Sequence, residues 1–297
     1  MKFTRFFFFV LLAVGVSSCF PTKKVQQLTE TANSAIEAGR TQEGLAAYEE
    51  IIQITKEKGK EVNGSVYLNA GLALWELGNI PKAIDYLENA KAKDKHSPKM
   101  YHVLSEAYLK IDNLSLELKN LEYYKEHFPD AENIDEVNCK LFIAYVKSTN
   151  WQLAKKQWPH VSEEYKDKTK ILMPYLTLLN ELEKSDEALG VAKKLLSKDS
   201  KNLQALEILA KSYYRKAEDS YQKEMRAYEK NRTNRQYRQL LKALDVINEN
   251  FKTARDYFER LYKLNPKSNY ATYLGNIYTR FDNKQKASYY YQKAKEK

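Results

Sequence analysis

The sequence predicts an all-α chain built as a stack of helix pairs, and three observations carry that prediction. Glycine (9) and proline (7) are scarce among 297 residues, whereas an all-β chain needs many Gly/Pro turns. Apolar residues recur at helical spacing from about residue 25 onward. That pattern itself returns about every 34 residues.

The N-terminus comes first. Lys2 and Arg5 precede an unbroken apolar run from Phe6 to Val16. The run is about half the roughly 20 residues a helix needs to cross a bilayer, so it reads as a signal-peptide core. It ends in Val16-Ser17-Ser18-Cys19. This resembles the lipobox of bacterial lipoproteins: an aliphatic residue, two small residues, then cysteine. The resemblance implies cleavage before Cys19, a diacylglycerol on its thiol and an acyl chain (palmitate-like) on its amine. Residues 1–18 are thus expected to be signal peptide and 19–24 a lipid tether. Several acyl chains anchor stably, since each buried methylene adds about 0.8 kcal/mol. Phe20 stands where enteric inner-membrane lipoproteins carry Asp, and no acidic run follows. The expected location is therefore the cell envelope, lipid-anchored to the outer membrane and facing the periplasm. There, the net charge of +10 does not point to nucleic acid.

Past the tether the units follow in order. The first has Leu28, Ala32, Ala35, Gly44 and Tyr48. The second has Tyr67, Ala70-Gly71, Leu74, Ala83, Leu87 and Ala90. The third gives Tyr101, Leu104-Ser105, Tyr108, Leu121, Tyr124 and Pro129, and the fourth Leu141, Tyr145, Ala154 and Trp158. The fifth gives Leu172, Tyr175-Leu176, Leu179, Ala188, Ala192 and Leu195. The last has Ala271, Leu274-Gly275, Tyr278, Ala287, Tyr291 and Ala294. Small residues fall where helices approach most closely, and large ones fill the volume between. Punctuation agrees: Pro81 and Pro98 stand where first-turn prolines cost nothing, Ser97 is an N-cap, and Asp112-Asn113 and Asp282-Asn283 sit in turns. Pro159 and Pro174 fall inside helices and are expected to kink or shorten them.

This series resembles the tetratricopeptide-repeat (TPR) family over roughly residues 25–297, as about seven helix pairs. The resemblance implies a TPR-type α-solenoid, antiparallel helix pairs wound into a superhelix, that binds proteins. The sixth unit departs from the family. Leu206, Leu209-Ala210 and Tyr213 open it, Ala254, Phe258, Leu261 and Pro266 close it, and about thirty extra residues intervene. They are rich in helix formers and free of Gly and Pro. Two overlong helices, about 202–230 and 234–264, are expected to form an elongated hairpin spanning 203–264 and turning near Asn231–Thr233. Between Lys211 and Lys242 stand ten Lys/Arg and four Asp/Glu, a net of +6. Lys223, Arg226, Lys230, Arg232, Arg235 and Arg238 flank the tip. They form either a solvated surface or a docking arm for an acidic partner.

No catalytic motif is present: no GxSxG, HExxH, P-loop, GxGxxG or CxxC. His96, His102, His127 and His160 offer no i, i+4 metal pair, so neither metal nor cofactor nor enzyme is expected. His102 and Cys139 fall at equivalent places in adjacent units, and a Cys–His dyad there is the one conceivable chemistry. The TPR resemblance puts the inner, concave face on first helices. There it names Asn33, Asn69, Trp75, Lys99, His102 and Lys140 as peptide-binding residues, with Lys110, Lys147 and Lys170 on the same face. Some TPR co-chaperones clamp a terminal carboxylate with Lys, Asn, Asn, Lys and Arg. Asn33, Asn69 and Lys99 match three of those places, but Thr29 and Val103 replace the other two cations. The expected function is a lipid-anchored envelope scaffold or adaptor for a protein or peptide partner. The alternatives are a component of outer-membrane protein assembly or, in a different class, a glycan-binding lipoprotein.

Overall fold

A computed structural model describes residues 23–296. The apolar run, the lipobox and Cys19 lie outside the described residues. The chain divides into two compact units, residues 23–113 and 114–296 of the described part. Every described element is helical.

In the first unit, α1 (Lys23–Glu37) pairs with α2 (Thr41–Glu57) and α3 (Gly64–Glu76) with α4 (Ile80–Lys91). The helix α5 (Pro98–Lys110) packs against both α3 and α4. Lys23 and Lys24, expected in the tether, belong to α1. Lys24 pairs with Glu50 across to α2 at 2.8 Å.

The second unit begins with α6 (Leu114–His127), α7 (Ile134–Lys147) and α8 (Trp151–Gln157). A single 3-10 turn, Trp158–His160, and a four-residue helix α9 (Glu163–Lys166) follow. Then come the pairs α10 (Thr169–Glu181) with α11 (Ser185–Lys198), α12 (Leu203–Lys230) with α13 (Asn234–Leu264), and α14 (Ser268–Arg280) with α15 (Lys284–Lys295). At 1.5 Å per residue, α12 and α13 run about 42 and 46 Å.

The small residues do what their spacing predicts. Ala32, Ala70, Ala83, Ala90, Ala192 and Ala271 have no exposed surface. A Cβ on Gly71 would lie 2.7 Å from Leu87, and one on Gly275 would lie 2.6 Å from the Tyr291 ring. These contacts set how near paired helices come.

Six turns between successive helices share one geometry. The N–H of Arg40, Asn79, Asn113, Asn150, Lys184 or Asn283 bonds back to the carbonyl of Ala35, Leu74, Tyr108, Tyr145, Leu179 or Tyr278, at 2.8–2.9 Å. This is the Schellman closure of a helix end. It places one residue at positive φ: Gly39 and Gly78, but also Asp112, Thr149, Glu183 and Asp282. Asn79 and Asn283 then cap the next helix through Lys82 N and Lys286 N. Ser97 caps α5 through Met100 N at 3.2 Å, ahead of Pro98.

The two interior prolines act differently. Pro159 ends α8 at seven residues and turns the chain into 3-10 geometry. Pro174 lies inside α10, which still runs 13 residues, so of the two expected effects shortening does not occur. The carbonyl it leaves without an N–H belongs to Lys170, an exposed residue in the first turn that water can serve.

The abundant tyrosines have a second role besides filling space. Tyr108 donates to Glu88 at 3.0 Å, Tyr145 to Glu122 at 2.8 Å and Tyr278 to Glu259 at 2.5 Å. Each bond runs from a first helix to the second helix of the preceding pair. Burial raises all three phenols above their ordinary value, and the adjoining carboxylates raise them further. The second unit also holds a buried polar chain. Lys125 Nζ donates to Gln157 Oε1 at 2.6 Å, and Gln157 Nε2 donates to the Asn138 carbonyl and side-chain oxygens at 3.0 and 2.9 Å. Burial lowers the Lys125 ammonium.

Candidate functional site

First helices line a groove in each unit. In the first unit, α1, α3 and α5 border a recess of about 260 Å³ whose walls include Asn33, Glu37, Asn69, Glu76 and Lys99. Its floor is organised from behind. Tyr48, fully buried on α2, donates its hydroxyl to Asn33 Oδ1 at 2.6 Å and accepts from Asn69 Nδ2 at 3.1 Å. Burial raises the Tyr48 phenol, so it stays a donor. This fixes both amides. Asn33 keeps its NH₂ and Asn69 its carbonyl oxygen toward the groove, the donor and acceptor a peptide backbone needs.

Three of the sequence-named residues, Asn33, Asn69 and Lys99, thus come together. Lys99 pairs with Glu76 at 3.4 Å, both largely exposed. Trp75 is not among the walls; it is half-buried with the Lys110 ammonium 5.1 Å from its ring centroid. His102 on α5 is partly buried, and its carbonyl accepts the Ser105 hydroxyl at 2.7 Å. Lys140 belongs to the second unit, where it pairs with Glu136 at 2.6 Å.

The carboxylate clamp does not form. The Thr29 hydroxyl bonds the Val25 carbonyl at 2.8 Å, and Val103 is buried in the core. Glu37 and Glu76 put carboxylates into the groove against one ammonium, so an anionic chain end would be repelled. The conceivable dyad fares no better: burial pushes the Cys139 thiol up, and the thiolate is the nucleophile.

The second unit has a larger groove, about 680 Å³, between α10, α12 and α14. Glu181, Glu207, Glu218 and Asp219 face it with Lys211 and Arg215, leaving it net acidic. Burial alone would raise the Glu207 carboxyl, but bonds from Lys211 and Tyr270 hold it below its ordinary value. The tyrosine–asparagine device recurs: Tyr291 donates to Asn276 Oδ1 at 2.9 Å, and Asn276 Nδ2 donates to Tyr214 at 3.3 Å. Sequence reasoning ended its inner-face residues at Lys170 and so missed this groove. The same first-helix positions, counted on through α12 and α14, would have found Tyr214 and Tyr273.

The six basic hairpin residues, Lys223, Arg226, Lys230, Arg232, Arg235 and Arg238, are all exposed, and none of them forms a salt bridge.

Residues 29–98 match the tetratricopeptide-repeat family model. The fold of the chain is of the tetratricopeptide-repeat type. No curated protein matches its sequence. Among solved structures it is similar to YrrB, a TPR protein described as having an unusual peptide-binding site, at 17% identity and TM-score 0.50 over 63% of this chain and 92% of that one. A protein from Bacteroides ovatus aligns at 20% identity and TM-score 0.49, covering 74% and 98%. A TPR protein from Parabacteroides merdae aligns at 14% and 0.45, covering 92% and 93%. The fold is an all-α, TPR-type solenoid of helix pairs, and such repeats serve protein–protein interaction.

Proposed function

We propose that this TPR protein is a lipid-anchored adaptor of the outer membrane, facing the periplasm, whose first-helix grooves hold an extended peptide segment of a partner protein. The observation that carries this is the Asn33–Tyr48–Asn69 chain, which holds two side-chain amides in fixed orientation in an open groove. Fixed donor–acceptor pairs read backbone rather than a particular side chain. The carboxylates around both grooves favour a segment that is neutral or basic. The peptide-binding site described for YrrB is a precedent on the same fold. A glycan platform is less favoured. Two of the three tryptophans have occupied faces: Trp75 lies near Lys110, and Trp158 stacks on Tyr175 at 3.6 Å.

The test is affinity purification from detergent-solubilised envelope with the wild-type chain and with Asn33→Ala/Asn69→Ala. A protein recovered by the first, and lost by the second without loss of helicity, supports the groove. Equal recovery refutes it. The anchor is tested separately, because Cys19→Ser should stop processing and leave the chain in the soluble fraction. Mass spectrometry showing an unmodified mature N-terminus would refute lipidation.

A further inference from the structure

The hairpin face that carries α14 continues past the end of α14. On α12, Glu207 accepts from Tyr270 at 2.7 Å, Tyr214 from Asn276 at 3.3 Å and Glu218 from Arg280 at 2.5 Å. Counting on along the same helical line gives Tyr221, Met225 and Tyr228. On α13, Glu259 accepts from Tyr278 at 2.5 Å, and the Phe251 ring meets Phe281 with centroids 6.5 Å apart. That line runs on to Leu244, Leu241 and Tyr237. But α14 stops at Arg280, whose guanidinium lies 4.1 Å from the Tyr221 ring centroid. Tyr221, Leu244, Asn248 and Phe251 form a recess of about 350 Å³ with Thr279 and Arg280 at that point.

Starting at that recess the six residues form an apolar strip along the cleft between two helices. Tyr228 and Tyr237 close its far end with ring centroids 5.9 Å apart. Tyr237 and Leu241 are 49% and 45% exposed. The strip borders the hairpin's own core at its inner end, where Tyr221 and Leu244 pack against the buried cluster, whereas Tyr237 and Leu241 lie outside the buried residues of α13.

Charge identifies the occupant. Near the root of the hairpin Lys211 pairs with Glu207, Lys252 with Glu249 and Arg255 with Asp256, and Glu218 takes Arg280 of α14, while Arg215, Lys216 and Lys263 form no ion pair among the described residues. Residues 221–246 carry seven Lys/Arg and three Asp/Glu, a net of +4. The six cations of the distal half described above, and Lys242, are exposed and unmatched. A helix already occupies the first part of this cleft, so a second helix fits the remainder.

We infer that the distal half of the α12/α13 hairpin docks an amphipathic helix of a partner protein, apolar along one side and acidic on its flanks, laid end to end with α14. Helix-in-groove recognition of this kind anchors residues at i, i+3, i+4 and i+7, and the strip spans about two turns. It shares no residue with either groove, so its fate is independent of the peptide-binding reading.

The test uses the full chain in non-ionic detergent and labelled helical peptides of about 14 residues, roughly four turns. One places leucine on a single face and glutamate elsewhere, the second replaces glutamate by lysine, and the third scrambles the first. The first should bind, more weakly as salt rises. Leu241→Glu, and separately Arg232→Glu/Arg238→Glu, should each weaken it at least about tenfold, while Asn33→Ala leaves it unchanged. These residues are exposed, and circular dichroism checks that the variants fold; if one does not, the other decides. Equal binding of the lysine or scrambled peptide overturns the inference, as does full affinity in a folded variant. Binding only to phosphatidylglycerol vesicles would instead assign the arm to membranes. A dimer in sedimentation that Leu241→Glu dissolves would assign the strip to a second copy.

Discussion

Among the glycines inside helices, Gly71, Gly190 and Gly275 have different neighbours, and replacing each by alanine separates packing from backbone effects. At Gly190 a new Cβ meets nothing within 4 Å. Gly190→Ala should therefore show the helix-propensity gain alone, about 1 kcal/mol. At Gly71 the same Cβ would lie 2.7 Å from both Cγ and Cδ2 of Leu87 and 3.2 Å from its backbone nitrogen. Leu87 is fully buried, so neither the side chain nor the helix behind it has room to retreat. Overpacking of this sort costs about 1–3 kcal/mol. Set against the same propensity gain, Gly71→Ala should be about 1 kcal/mol less stable than wild type. Gly275 falls between them. Its neighbour is the Tyr291 ring, 36% exposed, which can swing outward at the expense of its bond to Asn276. The order of stability should be Gly190→Ala, then Gly275→Ala, then Gly71→Ala, with about 2 kcal/mol between the extremes. Urea melts followed by circular dichroism measure it. If Gly71→Ala proved as stable as Gly190→Ala, the close approach of α3 and α4 would be misassigned, and with it the repeat register.

The tyrosine–glutamate bonds predict alkaline sensitivity. Unfolded phenols ionise near 10, whereas those of Tyr108, Tyr145 and Tyr278 are raised in the fold. Stability should hold to about pH 10 and fall as pH rises beyond it, because the unfolded state then releases protons that the fold retains. The triple Tyr→Phe variant should show a shallower fall in melts at high pH; an identical slope would remove these tyrosines from the account. Thr149 is β-branched at φ 57, so Thr149→Asn should stabilise by about 1 kcal/mol; no rise in melting temperature would show that the turn is unstrained. Gln157→Ala should cost about 1–3 kcal/mol, since it strips a buried acceptor from Lys125 and a donor from Asn138; a melt within error of wild type would show that water replaces it.

Periodicity carried far in this chain because each repeat buries one face by the same rule. It located the pairs, the turns at Asp112-Asn113 and Asp282-Asn283, and the long helices α12 and α13 to within a residue. What it lacks is reach. A helical period says that Trp75 and Asn69 lie near one another on α3, but not that Lys110 covers the first while Tyr48 fixes the second. Those facts depend on side chains arriving from other helices. The same limit hid the bonds from Tyr108, Tyr145 and Tyr278, whose partners lie about twenty residues upstream. Pro174 does not shorten α10: the cost of an interior proline depends on whether the orphaned carbonyl can find water, and the residue it orphans, Lys170, is exposed.

The hairpin's core thins from root to tip. Near the root, α12 and α13 share the cluster around Phe251, Ala254, Phe258 and Leu261, while toward the tip Leu240 is the last fully shielded side chain of α13. Backbone amides should therefore exchange with solvent on a gradient. Those near residue 258 open only when the whole unit opens, and those near residue 232 open by local fraying at far lower free energy. The tip is thus the most responsive segment of the arm. A helix lying along Tyr228 and Leu241 would slow deuterium uptake there while leaving the root unchanged, which makes the tip amides a built-in reporter of occupancy.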